Sequence, residues 1–185
     1  MGLPKEDWPR MNTGKHRRGL AGWLIALAFV CPLGAQEMSA HDFVQGFYNW
    51  YVPVALRHNA EPAWDIALKD RSSVFSPELL RALKEDSVAA AKAVGDIVGL
   101  DFDPFLSSQD PGQRYEVGRI TQKGEAWLVE MTAVRGGKRI GKPSVVVELS
   151  HRDGRWQFVN FHYDDGDLLT TLRLLKEDRE KSARP

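Results

Sequence analysis

The chain changes its apolar period once. Up to about residue 94 the apolar side chains recur every three or four residues, and from residue 114 they alternate. The first spacing buries one face of a helix, and the second buries one face of a strand. A run of helices followed by a run of strands predicts an α+β fold.

Within the helical part, Ser39 is the expected cap of a helix with Phe43, Phe47, Trp50, Tyr51 and Val54 on one face. Pro53 lies inside that pattern and is expected to kink or end the helix near Val52. Pro62 opens a short second helix with Trp64, Ile66 and Leu68. Ser76-Pro77-Glu78 supplies a cap, a proline at the first helical position and an acid in the first turn. The third helix then runs through Leu79, Leu80, Leu83, Ala90 and Ala91 to about Val94, and Gly95 ends it.

The strand part is punctuated by glycine. Residues 114–121 and 125–135 flank Lys123-Gly124, and Gly136-Gly137 leads into a strand over about 142–150. Asp153-Gly154 is the strongest hairpin signal and introduces Arg155–Tyr163. Asp164-Asp165-Gly166 breaks that strand, and Asp167 caps a last helix with Leu168, Leu169, Leu172 and Leu175. From Glu177 onward a charged tail is expected to fray. The expectation is N-terminal helices on a curved, cone-like, four-stranded antiparallel sheet, with a C-terminal helix. Both faces of Arg155–Tyr163 are apolar, which places that strand at the centre of the sheet.

Residues 95–112 connect the two parts. They hold three Gly, two Pro and four Asp, yet also Ile97, Leu100, Phe102, Phe105 and Leu106. A loop this apolar is expected to pack down on the fold.

The first 35 residues read as an address. Lys15-His16-Arg17-Arg18 precedes an uncharged run from Gly19 to Val30, and Gly34-Ala35 follows. A basic start, a short apolar stretch and small residues at the cut are the layout of a secretory signal. Cleavage is expected after Ala35, with Ala40 as the alternative and Met11 as an alternative start. The run is short for a bilayer span, which takes about 20 residues. Residues preceding Cys31, Ala28-Phe29-Val30, match a lipid-attachment site poorly, so no lipid anchor is expected there. The expected location is the periplasm or outside the cell.

Charge and cysteine count narrow the function classes. The chain carries 25 basic and 25 acidic residues. Removing residues 1–35 takes away five basic and two acidic side chains and leaves about −3. That is an ordinary soluble surface and gives no electrostatic footprint for nucleic acid. The single cysteine excludes an internal disulfide and any cysteine-built metal site.

Candidate chemistry is sparse. In the connector, Asp101, Asp103 and Asp110 with Gln109 are placed to meet in space. Neighbouring carboxylates push their pKa values apart and serve acid–base work or calcium. The same residue types also close turns and cap helices, which is the commoner use. Neither this spacing nor Asp164-Asp165-Gly166-Asp167 matches a calcium loop, so no metal is expected. His162 and Tyr163 end a strand, where a histidine can act as a base or only as a hydrogen-bonded cap. Phe43, Phe47, Tyr48, Trp50 and Tyr51 form an aromatic stripe that either lines a ligand cavity or builds core. Arg135, Lys138, Arg139 and Lys142 surround the Gly-Gly turn as a solvated loop or a patch for an acidic partner. No phosphate-binding glycine loop, Gly-x-Ser-x-Gly or His-Glu-x-x-His motif is present, and no cofactor is expected.

Three stretches together carry a resemblance. They are Phe47-Tyr48-Asn49-Trp50-Tyr51, Asp101-Phe102-Asp103-Pro104-Phe105-Leu106 followed by Gln109-Asp110, and the Trp156 strand running into His162-Tyr163. Over about residues 39–176 the chain resembles the domain-of-unknown-function 3828 family of small exported bacterial proteins. The resemblance implies a cone-like fold similar to nuclear transport factor two, also described as cystatin-like. Relatives of that fold include ketosteroid isomerase and dehydratases, and many others only bind ligands or partners. The family brings no established activity, so no catalytic residue is carried over.

Two functions follow as expectations. One is an exported, non-enzymatic binding or interaction domain. Its partner would be a small apolar ligand or an envelope protein, including a toxin for which the chain is the immunity factor, and by analogy it can form a homodimer. The alternative is a small isomerase- or dehydratase-like enzyme with a pocket Asp or His as base. The candidate pocket or functional loop comprises Trp50, Tyr51, Asp101, Asp103, Gln109, Asp110, His162 and Tyr163. The enzyme reading requires at least two of its acid–base groups to point into one cavity.

Overall fold

The computed structural model describes residues 38–57, 61–93 and 98–182. The expected leader with its cleavage site after Ala35, Cys31, His58 and the helix stop at Gly95 lie outside the described residues, whereas the alternative site at Ala40 is the buried first residue of the first helix.

Helix α1 spans Ala40–Ala55, and the Ser39 hydroxyl accepts the Asp42 N–H at 3.1 Å. Its buried stripe is Ala40, Val44, Phe47, Tyr48, Tyr51 and Val52, while Phe43, Trp50 and Val54 form a half-buried flank. The stripe is thus rotated slightly from the expected face. Pro53 does not end the helix. It sits in the last turn, where one missing N–H is tolerated, and the Leu56 N–H still reaches the Val52 carbonyl at 2.9 Å.

Helix α2, Ala63–Asp70, has Pro62 at its cap position, and a 3-10 turn follows at Ser72–Val74. Helix α3 spans Pro77–Lys92, and the Ser76 hydroxyl accepts the Leu79 N–H as the sequence implies. It buries Leu79, Leu83 and Asp86, whereas Ala90 and Ala91 are exposed.

Six antiparallel strands follow: β1 Arg114–Lys123, β2 Ala126–Arg135, β3 Lys138–Arg139, β4 Val145–Arg152, β5 Arg155–Tyr163 and β6 Gly166–Asp167. Helix α4 closes the fold at Leu168–Ser182. The sheet order is β1-β2-β4-β5-β6, with β3 also paired to β2. The four expected strands correspond to β1, β2, β4 and β5. The two additional ones have two residues each, too short to leave a period in the sequence.

β3 and β4 lie along β2 as one interrupted strand. The Ile140 N–H bonds the Ala133 carbonyl and the Ser144 N–H bonds the Met131 carbonyl, at 2.8 and 2.7 Å. Between them Gly141 takes φ +62° and Pro143 lacks a donor. The long strand therefore starts at Val145 and not near 142.

β5 is not central. β2 and β4 hold the middle of the sheet, and β5 has only two-residue β6 outside it. Its apolar residues on both faces come from a bulge, because the register with β4 shifts between Glu148 and Leu149. The bulge turns both Phe158 and Phe161 into the core, although they are three residues apart.

The core lies between the sheet and the helices. Helix α1 covers β1 and β2, and α3 and α4 pack on β5. Phe47, Phe75, Phe105, Phe158 and Phe161 meet at ring-centroid distances of 4.8 to 5.9 Å. The open edge of the sheet is covered by a side chain. Gln45 donates to the Tyr115 carbonyl at 2.9 Å and accepts the Val117 N–H at 3.0 Å, so its amide stands in for a neighbouring strand.

The C-terminal segment does not fray at Glu177. Arg179 Nη1 lies 2.6 Å from Asp86 Oδ1 and 3.0 Å from the Val98 carbonyl, and Lys176 pairs with Glu85 at 3.0 Å. These contacts fasten the last turns of α4 to α3.

Candidate functional site

The described part of the connector, residues 98–112, is anchored at Asp103. Asp103 opens a tight turn, with its Oδ1 accepting the Phe105 and Leu106 N–H groups at 2.9 and 3.1 Å. Its carbonyl accepts the Ser107 N–H at 2.8 Å. Ser107 adopts φ +48°, an unusual conformation held by the turn.

All four tyrosines of the chain converge on this turn. Tyr51 donates to Asp103 Oδ2 at 2.6 Å, Tyr163 to the Pro104 carbonyl at 2.8 Å, Tyr48 to the Phe105 carbonyl at 2.7 Å and Tyr115 to the Leu106 carbonyl at 3.3 Å. They come from α1, β1 and β5, so one four-residue segment ties helix and sheet together. Pro104, Phe105 and Leu106 are buried, and each of their carbonyls has the partner that burial demands.

The electrostatics follow from burial. Loss of water raises the Asp103 carboxyl to about 6, against the pull of its three donors. Burial raises the Tyr48 and Tyr51 hydroxyls well above their ordinary value, and the Asp103 charge adds to this. Burial takes Tyr115 to about 12 and carries Tyr163 higher still. All four remain donors at any pH the fold meets.

The other candidates are scattered around this anchor. Asp101 is exposed, and its carbonyl accepts from Gln109 Nε2 at 3.1 Å. Asp101, Asp103 and Gln109 border a shallow cleft of about 290 Å3, walled by Trp64 and Phe102. Asp110 borders a different cleft of about 210 Å3 and pairs with Arg135 at 2.8 Å. His162 is turned to the opposite face of β5 from Phe161, where its Nε2 lies 2.7 Å from Glu148 Oε2. Trp50 is half-buried between Phe47, Tyr51 and Arg71, whose guanidinium lies 5.0 Å from its ring. Two acid–base groups thus share a cleft rim, but both oxygens of Asp103 are already engaged.

The aromatic stripe packs as core. Phe47, Tyr48 and Tyr51 are buried, and Phe47 stacks on Tyr51 at 5.4 Å. The basic hairpin patch is largely neutralised by Arg135–Asp110, Arg139–Glu116 and Lys142–Asp164 pairs.

Sequence reasoning missed Asp86, Gln45 and the joint role of the tyrosines. Asp86 is buried, accepts the Leu100 N–H at 3.0 Å and holds Arg179. Its signal was present, because Leu79, Leu83 and Asp86 share one helical face and an acid there needs a partner.

Outside the connector, a long groove of about 700 Å3 runs along α3 and meets Lys176 and Arg179 of α4. Among the described residues no three or more His, Cys, Asp or Glu side chains converge to hold a metal. No described helix is long and apolar enough to cross a membrane.

No family model matches the chain, and no curated protein matches it. Two solved structures are similar. One is a chain of the type VI native effector–immunity complex Tae3–Tai3 from Ralstonia pickettii. It is 18% identical, with a TM-score of 0.48 over 69% of this chain and 96% of that one. The other is a protein of unknown function from Bacteroides thetaiotaomicron. It is 20% identical, with a TM-score of 0.45 over 68% of this chain and 90% of that one.

Proposed function

We propose that this chain is an exported, non-catalytic domain of a cone-like, nuclear-transport-factor-two-like type that works by binding a protein partner. The observation that carries this reading is the use made of Asp103. It has the carboxyl suited to base catalysis, and both of its oxygens are taken up, one by Tyr51 and the other by two backbone amides. A general base must reach the proton it removes, and although Asp103 borders the cleft beside Trp64, both of its oxygens are already engaged within the fold. Asp101 borders the same cleft as Asp103, Asp110 borders a different one, and His162 pairs with Glu148 on the other face of β5, so these groups do not converge on one cavity. Export rests on the basic–apolar–small pattern of residues 15–35.

Native mass spectrometry on the chain released gently from its own cells tests this reading. A retained polypeptide at fixed stoichiometry is the expected result. A retained small molecule lost on Asp101→Asn would instead favour the isomerase-like alternative and the cleft beside Trp64.

A further inference from the structure

We propose that the α3–α4 groove seats an acidic amphipathic helix of a partner protein. This inference rests on the protein-binding reading above and names its surface. The floor is apolar and comes from Pro77, Leu80, Val88 and Ala89. Val88 is 53% exposed, and Leu80 is only partly covered by the core. The lining positions recur at helical spacing along α3, with Arg81, Lys84 and Glu85 between the two apolar ends, so from Pro77 to Ala89 the trough extends about 18 Å at 1.5 Å per residue. That shape admits a helix presenting apolar residues at three- and four-residue intervals.

The rim selects the charge. Four basic residues, Arg81, Lys84, Lys176 and Arg179, face one acid, Glu85. Lys176 is paired with Glu85 and Arg179 with Asp86. Arg81 and Lys84 hold no ion pair among the described residues, although the Arg81 charge acts on Glu85, and the adjoining cleft adds Arg173, also without an ion pair, and one acid, Glu78. The chain beyond residue 35 is net acidic, so this cationic rim is a local concentration against the overall balance. An apolar floor beside Arg81 and Lys84, the two rim cations without an ion pair among the described residues, complements a helix whose apolar face is bordered by Glu or Asp. Partner charge would act mainly on association rate and would be screened by salt.

The test uses the folded chain and two labelled probes, an amphipathic helix built of Leu and Glu and its counterpart with Lys in place of Glu. Fluorescence anisotropy should show the Glu probe binding at least about tenfold more tightly, with the advantage falling at high salt. Val88→Asp should abolish binding, while Ile140→Asp, on an exposed site elsewhere, should not. The double variant Arg81→Glu with Lys84→Glu should transfer the preference to the Lys probe. Equal binding of both probes, no binding of either, or binding unchanged by Val88→Asp each overturns the proposal. So does self-association that Val88→Asp abolishes, or anionic-vesicle binding that responds to the same variants in place of probe binding. If the probes fail but native mass spectrometry retains a polypeptide, the groove is wrong and the protein-binding reading stands. A retained small molecule sinks the broader reading whatever the probes do.

Discussion

Asp103 and the four tyrosines show how a polar cluster can belong to the core. Each hydroxyl meets a carbonyl or carboxylate that burial would otherwise leave unsatisfied, at a cost of about 1–3 kcal/mol per group. Asp103 has a measurable signature. Its folded-state pKa, about 6, lies above the unfolded value near 3.8, so the folded state favours the protonated carboxyl. The stability from this group is fully present below pH 3.8 and is lost as pH rises through 6. The shift corresponds to a change on the order of 3 kcal/mol. Asp103→Asn keeps an acceptor for the Phe105 and Leu106 amides and cannot ionise. Denaturant titrations should therefore find the variant gaining relative to the parent between pH 4 and pH 6.5. Taking the difference cancels the opposite contributions of Glu85 and Glu116, whose cationic partners hold them below the usual range. A difference that stays flat with pH would mean the carboxyl is solvated.

Between elements, the decisive contacts are few and specific. Asp86 joins α3, the connector and α4 through the Leu100 N–H and Arg179. Its side chain is 5% exposed and that of Arg179 is 18% exposed, so the carboxylate is buried and its partner largely covered. Removing one partner of such a pair leaves the other charge uncompensated, typically at about 3–5 kcal/mol. Asp86→Ala should destabilise by about that amount, and hydrogen exchange should show the last turns of α4 opening before the rest. Replacement of both residues by apolar ones should recover much of the loss. Equal protection of α4 in the parent and in Asp86→Ala would show that its C-terminal turns hold without the pair. The elements themselves were readable where local chemistry decides. Ser39 and Ser76 cap their helices, and Asp153-Gly154 turns β4 into β5, with φ of +52° and +69°. Reading failed where tertiary contacts decide. Nothing local to Glu177–Ser182 announces that Arg179 will find Asp86, and the bulge opposite Glu148 and Leu149 is not written in the alternation of β5. In the candidate site, the packed-down connector was legible from its apolar content. The destination of Asp103 was not, because its partner Tyr51 lies 52 residues away in sequence.

For the whole molecule, the proposed function turns on the connector. An α+β frame with helices on one face of an open antiparallel sheet is compatible with enzymes and with binding domains alike. Here Asp103–Leu106 of the carboxylate-rich loop are drawn inward and tied to α1, β1 and β5, while Asp101 and Asp110 stay at the surface. Among the described residues, the outward features open to function include the cleft rims and the α3–α4 groove. Amide exchange at Phe105, Leu106 and Ser107 in the isolated chain at neutral pH tests directly whether that loop is anchor or working site. As part of the core, these three amides should exchange only through global unfolding, with protection equal to that of Val129 and Val147 at the centre of the sheet. Rapid exchange at these positions while β2 and β4 stay protected would contradict the anchored connector. It would return Asp103 to the list of residues free to act on a substrate.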